Sequence, residues 1–133
     1  MSDVTVTPIS VALTGAAITK QQATGLANVY VQASTAQSSL DMDGLFVAFE
    51  NVSTTATCTI TLKAGSSFSG KASDETITVG TAATVFVGGK GFESAAYLNV
   101  DSDGGPDYLQ FTVPTSASCY VYAVMKPYQE WNN

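Results

Sequence analysis

The chain reads as an all-β protein, an antiparallel β-sandwich of jelly-roll or immunoglobulin-like type with about eight or nine strands. Three observations predict this class. Apolar residues recur with a period of two, most strictly in T-C-T-I-T-L-K over residues 57–63. Short runs of this kind are separated at regular intervals by Gly, Ser, Asp and Pro. Thr, Ser, Gly and Ala fill the space left by a charged fraction of 12%, about half the usual ~25%, and such a composition favours strands and turns over helices.

The elements follow in chain order. Val4 and Val6 alternate with Thr, Pro8 interrupts, and Val11 and Leu13 resume the alternation. Residues 15–27 are expected to be a loop with at most one turn of helix, because Gly25 and the lack of a 3.6-residue apolar stripe weaken the best helical candidate, Thr19 to Asn28. N-V-Y-V-Q over 28–32 is a short apolar run, and L-F-V-A-F-E-N over 45–51 has the character of a buried strand. In 57–63 one face carries Cys58, Ile60 and Leu62, and the other carries threonines and Lys63. Residues 66–74, S-S-F-S-G-K-A-S-D, are expected to be an exposed connection. Strands are expected at 75–79 and 83–87, then at 96–100 and 108–113, and finally at 118–125. Pro127 ends the last strand, and the tail P-Y-Q-E-W-N-N carries Trp131, either folded back on the sandwich or against a partner. The length of 133 residues suits one domain, with 1–10 as an N-terminal arm or first strand, 11–127 as the sandwich and 128–133 as a tail.

Charge and residue types exclude several functions. The formal net charge is −6 and the five cationic residues are all lysines, so no basic face is available for nucleic acid or for an anionic membrane. Without histidine there is no Ser–His or Cys–His pair and no imidazole ligand. Without arginine there is no bidentate clamp for carboxylate or phosphate. The start M-S-D-V-T-V-T-P has neither a basic nor an apolar targeting region, so no signal peptide is expected. No apolar run approaches the ~20 residues of a transmembrane helix. Cys58 and Cys119 lie inside strand-like runs and are expected to be small buried hydrophobes, reduced in a cytoplasm, with a bridge as the alternative.

Residues 101–107, D-S-D-G-G-P-D, are the main chemical candidate. Asp101, Asp103 and Asp107, with backbone carbonyls, make a weak calcium loop. The EF-hand spacing fails, since Gly105, Pro106 and Thr112 stand at its positions 5, 6 and 12. The simpler reading is a hairpin loop in which Asp and Gly supply the turn and the charges stay solvated. Asp41 and Asp43 in L-D-M-D-G raise the same question and read as a turn. V-G-G-K-G-F-E over 87–93 lacks phosphate-loop spacing. Tyr97, Tyr108, Tyr120 and Tyr122 are candidates for a sugar-stacking platform, or are ordinary strand tyrosines. No nucleophile is paired with a base, so neither an enzyme nor a cofactor is expected.

The order of segments carries a resemblance. V-T-V-T-P-I-S is followed by a polar loop and by L-F-V-A-F-E-N-V-S-T-T-A-T-C-T-I-T-L-K-A-G. Then come T-I-T-V-G-T-A-A-T-V-F-V-G-G, F-E-S-A-A-Y-L-N-V and C-Y-V-Y-A-V-M-K-P. Over residues 4–127 this resembles the small β-sandwich decoration, or cement, proteins of tailed bacteriophages. The resemblance implies a structural virion protein, often trimeric, bound to the major capsid protein on the capsid exterior after assembly in the host cytoplasm. It implies no catalysis. The candidate contact element is the N-terminal segment, residues 1–10, with Val4, Thr5, Val6 and Thr7 as its contact residues, whose backbone could add to an exposed capsid edge. The loops at 66–74 and 88–92 are next, and the extended tail is a departure from the pattern. The alternatives are a carbohydrate-binding module and a calcium-stapled surface domain.

Overall fold

The computed structural model describes residues 3–10, 15, 17–25, 27–32, 45–64, 74–88, 98–99, 108–114 and 118–125. These form eleven strands, and no helix occurs among the described residues. They are β1 (Val4–Val6), β2 (Ile9–Ser10), β3 (Gln21–Thr24), β4 (Ala27–Gln32), β5 (Leu45–Asn51), β6 (Cys58–Leu62), β7 (Glu75–Val79), β8 (Thr84–Gly88), β9 (Leu98–Asn99), β10 (Tyr108–Val113) and β11 (Ser118–Met125). Nine of them are three residues or longer; β2 and β9 are two-residue pairings.

Two sheets pack face to face. Sheet A runs β1-β4-β10-β6-β7, with β9 on β10; sheet B runs β2-β11-β5-β8, with β3 on β11. All pairings are antiparallel except β1 with β4 and β2 with β11. The expected β-sandwich is therefore present.

Alternation decides which half of each strand is inside. Val29 and Val31, Leu109, Phe111 and Val113, and Cys58, Ile60 and Leu62 line the inner face of sheet A. Leu45, Val47 and Phe49, with Cys119, Val121 and Ala123, line that of sheet B. Phe49 and Phe111 meet edge to face across the interface, with ring centroids 4.9 Å apart. Fully burying side chains of this size contributes roughly 1.5–3 kcal/mol each.

Two sheet changes bring the chain's start into both layers. After β1, buried Pro8 offers no N–H to a ladder, and the chain crosses to sheet B as β2. After β3 it returns to sheet A through Gly25, whose φ of 71° favours glycine. Strand β3 replaces part of the loop expected over 15–27. Q-Q-A-T shows no apolar alternation, but Ala23 is fully buried and the strand pairs with β11 over four residues. Its β structure is imposed by a neighbouring edge, not by local propensity. Residues 4–6 form the first strand, Val6 belongs to the core, and Thr5 and Thr7 are exposed.

A buried asparagine ties one end of the sandwich together. The Asn51 Nδ2 group donates to the carbonyls of Ala56 at 2.9 Å, Gly80 at 3.1 Å and Val79 at 3.3 Å, and its Oδ1 accepts from the Ser53 N–H at 3.0 Å. Ala82 N–H donates to the Ser53 carbonyl at 2.8 Å, so the β5–β6 loop and the β7–β8 turn are joined.

Candidate functional site: an apolar outer face

The outer faces of the two sheets are built from the residues left over by inward alternation, and they differ. On sheet A the outward positions include Asn28, Gln32, Gln110, Thr112, Thr59, Thr61, Thr76 and Thr78. Side chains bond to each other there: Gln110 and Thr112 reach Asn28 Oδ1 at 3.4 Å, and Thr7 reaches Gln32 at 3.0 Å. Tyr30 and Tyr108 make an edge-to-face pair at 5.4 Å, and burial, followed by the charge of Asp3, pushes the Tyr30 phenol above its ordinary range.

On sheet B the outward residues form three cross-strand rows. Val124, Phe46 and Gly88 stand side by side, then Tyr122, Ala48 and Phe86, then Tyr120, Glu50 and Thr84. Phe86 is 59% exposed and Phe46 40%. Phe86 and Tyr122 meet edge to face at 6.5 Å, and Ala48 between them is buried. Gly88 is required at its place in the first row. Its φ is +153°, and a Cβ there would run into the Leu45 carbonyl and come within 2.9 Å of the Phe46 Cα.

The third row is polar. Lys20 Nζ binds Glu50 at 3.1 and 3.3 Å and lies 5.7 and 5.8 Å from the ring centroids of Tyr120 and Tyr122. The face thus grades from hydrocarbon at Phe46 to a neutralised charge pair at Glu50. Its border strand β8, T-V-F-V-G, carries no charge and no proline, and among the described residues β5 is its one sheet neighbour.

The sequence candidates fall as follows. Asp101, Asp103 and Asp107, like Asp41, Asp43, Tyr97 and Trp131, lie outside the described residues. Of 87–93 only Val87 and Gly88 are described, as the end of β8. The tyrosines do not share one platform: Tyr108 is on the outer face of sheet A, and Tyr120 and Tyr122 are on that of sheet B. Of the N-terminal contact candidates, Val4 and Val6 pack on or in the core, leaving the Thr5 and Thr7 side chains outward at the edge of sheet A. Among the described residues no group of three or more Cys, Asp or Glu is arranged to hold a metal. Asn51-Val52-Ser53 matches a glycosylation pattern, but the Asn51 amide is buried and committed to three carbonyls.

Sequence reasoning missed Phe46, Phe86 and Lys20. In T-V-F-V-G the flanking Val85 and Val87 pack on the core, which turns Phe86 outward. That phase was available from the alternation once the valines were taken as inward. Compared with known proteins, the chain matches no family model, no curated protein and no solved structure.

Proposed function

We propose that this chain is a structural virion protein that binds the outer surface of an assembled phage capsid and stabilises the shell as a homotrimer. The observation that carries the reading is the apolar outer face of sheet B. A protein face with two phenylalanines at 40% and 59% exposure, flanked by two tyrosines and bordered by an uncharged strand edge, has the character of an interaction surface. The resemblance to decoration proteins over residues 4–127 supplies the class of partner, the major capsid protein. The binding needs neither turnover nor a cofactor. Aromatic anchors such as Phe86 give the face its affinity, and the edge of β1, with Thr5 and Thr7 outward, offers a second contact.

The test is co-sedimentation of the purified chain with expanded capsids that lack it. Saturable binding is expected, and Phe86→Glu should weaken it at least ~10-fold, the loss of one anchoring aromatic. Failure to bind, or full binding by Phe86→Glu, overturns the reading. A second reading is favoured by one specific feature, the Tyr120–Tyr122–Phe86 cluster beside the Lys20–Glu50 pair, which suits stacking and hydrogen bonding to a sugar. It predicts glycan-dependent quenching of tyrosine fluorescence and no affinity for bare capsids.

A further inference from the structure

Register fixes which backbone groups of β8 are committed and which are free. The Asn51 N–H donates to the Ala83 carbonyl at 2.9 Å, one pair beyond the ladder in which Glu50 stands opposite Thr84 and Phe49 opposite Val85. In an antiparallel ladder, pairs that exchange hydrogen bonds alternate with pairs that do not. The bonded pairs are therefore Asn51 with Ala83, Phe49 with Val85 and Val47 with Val87. The other side of β5 agrees. There the Val52 N–H donates to the Ser118 carbonyl at 3.2 Å, so residues 52, 50, 48 and 46 turn their backbone groups to β11. Thr84, Phe86 and Gly88 thus point their backbone groups away from β5, along an edge that no other described strand covers. We propose that this edge is a self-association site, at which β8 pairs antiparallel with β8 of a second copy about a two-fold axis at Phe86.

The segment T-V-F-V-G is complementary to itself. Antiparallel pairing centred on Phe86 sets Phe86 opposite Phe86 of the second copy, Val85 opposite Val87 and Thr84 opposite Gly88. The groups that β5 leaves free belong to residues 84, 86 and 88, and in this register they meet only one another, so each free N–H faces a free carbonyl. A shift by one residue would set them against groups already bonded to β5. The side chains match as well. Phe86 comes beside Phe86 on the outer face, and Val85 beside Val87 on the inner face. Both valines pack on the core yet stay half-buried, and Phe86 is 59% exposed, so the pairing covers hydrocarbon that a single copy leaves in water.

Charge selects β8 for this contact. The chain carries a formal net charge of −6, so copies repel unless they meet along a neutral line. Strand β8 has no charged residue. Strand β7, at the edge of sheet A, is the opposite case: it begins at exposed Glu75 directly after Asp74, and a second copy there would bring carboxylates together. With β8 paired, sheet B runs without a break through two copies and its aromatic outer face doubles in width. The contact goes beyond capsid binding, since it needs no shell. Beside a three-fold contact it links one trimer to the next.

The test follows amide exchange of the full chain by NMR in dilute and concentrated solution, with sedimentation velocity on the same samples. The Val85 and Val87 amides, bonded to β5, should exchange slowly in both. The Thr84, Phe86 and Gly88 amides should exchange freely in the dilute sample and at least ~10-fold more slowly in the concentrated one, as the sedimenting mass doubles. Thr84→Pro removes an N–H that β5 does not use, at the first position of an edge strand, where proline is tolerated, and should hold the mass at its dilute value. Exchange at residues 84, 86 and 88 that ignores concentration overturns the proposal, and so does a doubling that survives Thr84→Pro. Slowing of these three amides only when expanded capsids are added also overturns it, and makes the occupant a strand of the shell. If Thr84→Pro does not fold, the alternating exchange pattern of the wild-type chain decides alone. Capsid binding by a chain that never pairs would leave the functional reading standing, and pairing without capsid binding would leave this one.

Discussion

The two outer faces of the sandwich have the same backbone task and different chemistry. Both must leave the inner residues undisturbed. Sheet A does this with one half-buried tyrosine pair, Tyr30 and Tyr108, and otherwise with amides and threonines that hydrogen-bond to each other, as Asn28 does with Gln110 and Thr112. Sheet B presents Phe46, Phe86, Tyr120, Tyr122 and Val124. Since the polar arrangement suffices on sheet A, the apolar one on sheet B is not a requirement of folding. Water contact with that much hydrocarbon gains nothing for the free chain, and that is the property on which the proposed capsid contact rests.

The largest expected effect separates inside from outside on sheet B itself. Phe49→Ala removes a ring that meets Phe111 at the centre of the core and should cost about 3–5 kcal/mol in chemical denaturation. Phe86→Ala, on the outer side of the neighbouring strand β8 and already largely in water, should cost less than about 1 kcal/mol. The comparison breaks if Phe86→Ala destabilises as much as Phe49→Ala, because the outer aromatics would then be part of the fold.

Next in size is the tie at the sandwich end. Asn51→Ala leaves three carbonyls and the Ser53 N–H without that side-chain partner and should cost about 1–3 kcal/mol. Hydrogen exchange should show the loss first in the 52–57 and 80–83 segments, which Asn51 joins. Uniform loss of protection across both sheets would instead make Asn51 a global core residue, and the two ends of the sandwich equivalent.

Much of the architecture is legible in the sequence because inward valines and leucines alternate cleanly with outward threonines. L-F-V-A-F-E-N, Y-L-Q-F-T-V and S-C-Y-V-Y-A-V-M become β5, β10 and β11 with the expected boundaries. Two things were not legible. Q-Q-A-T has no pattern of its own, and β3 exists because the long β11 offers an edge that β2 and β3 share. The apolar face was hidden for a related reason. In L-F-V-A-F-E-N and T-V-F-V-G both phases are apolar, so periodicity identifies a strand without saying which residues face water. Pairing settles it, since the register that places Val47 opposite Val87 and Val121 opposite Phe49 turns Phe46 and Phe86 out.

The smallest effect sharpens the contrast between the faces through one ion pair on each sheet. On sheet A, Lys63 Nζ binds Asp74 at 2.8 Å, and the Ala64 N–H donates to the same carboxylate at 2.8 Å. The Lys63 bond, then the backbone bond, hold the Asp74 carboxyl below its ordinary value. A depressed folded value means that the contribution is present above the unfolded range near ~3.9 and is lost as pH falls through the lower folded value. Asp74→Asn keeps an oxygen for Ala64 and removes the charge together with the oxygen that accepts from Lys63. Its Tm deficit should be small at neutral pH, shrink with added salt and disappear in acid. Glu50→Gln makes the same change on sheet B, but there Lys20 also lies over Tyr120 and Tyr122 and is expected to keep that contact. Its effect should therefore appear in binding at the aromatic face more than in Tm. Equal melting deficits for the two variants, with binding untouched, would show that the charge pair on sheet B is as purely local as the one on sheet A.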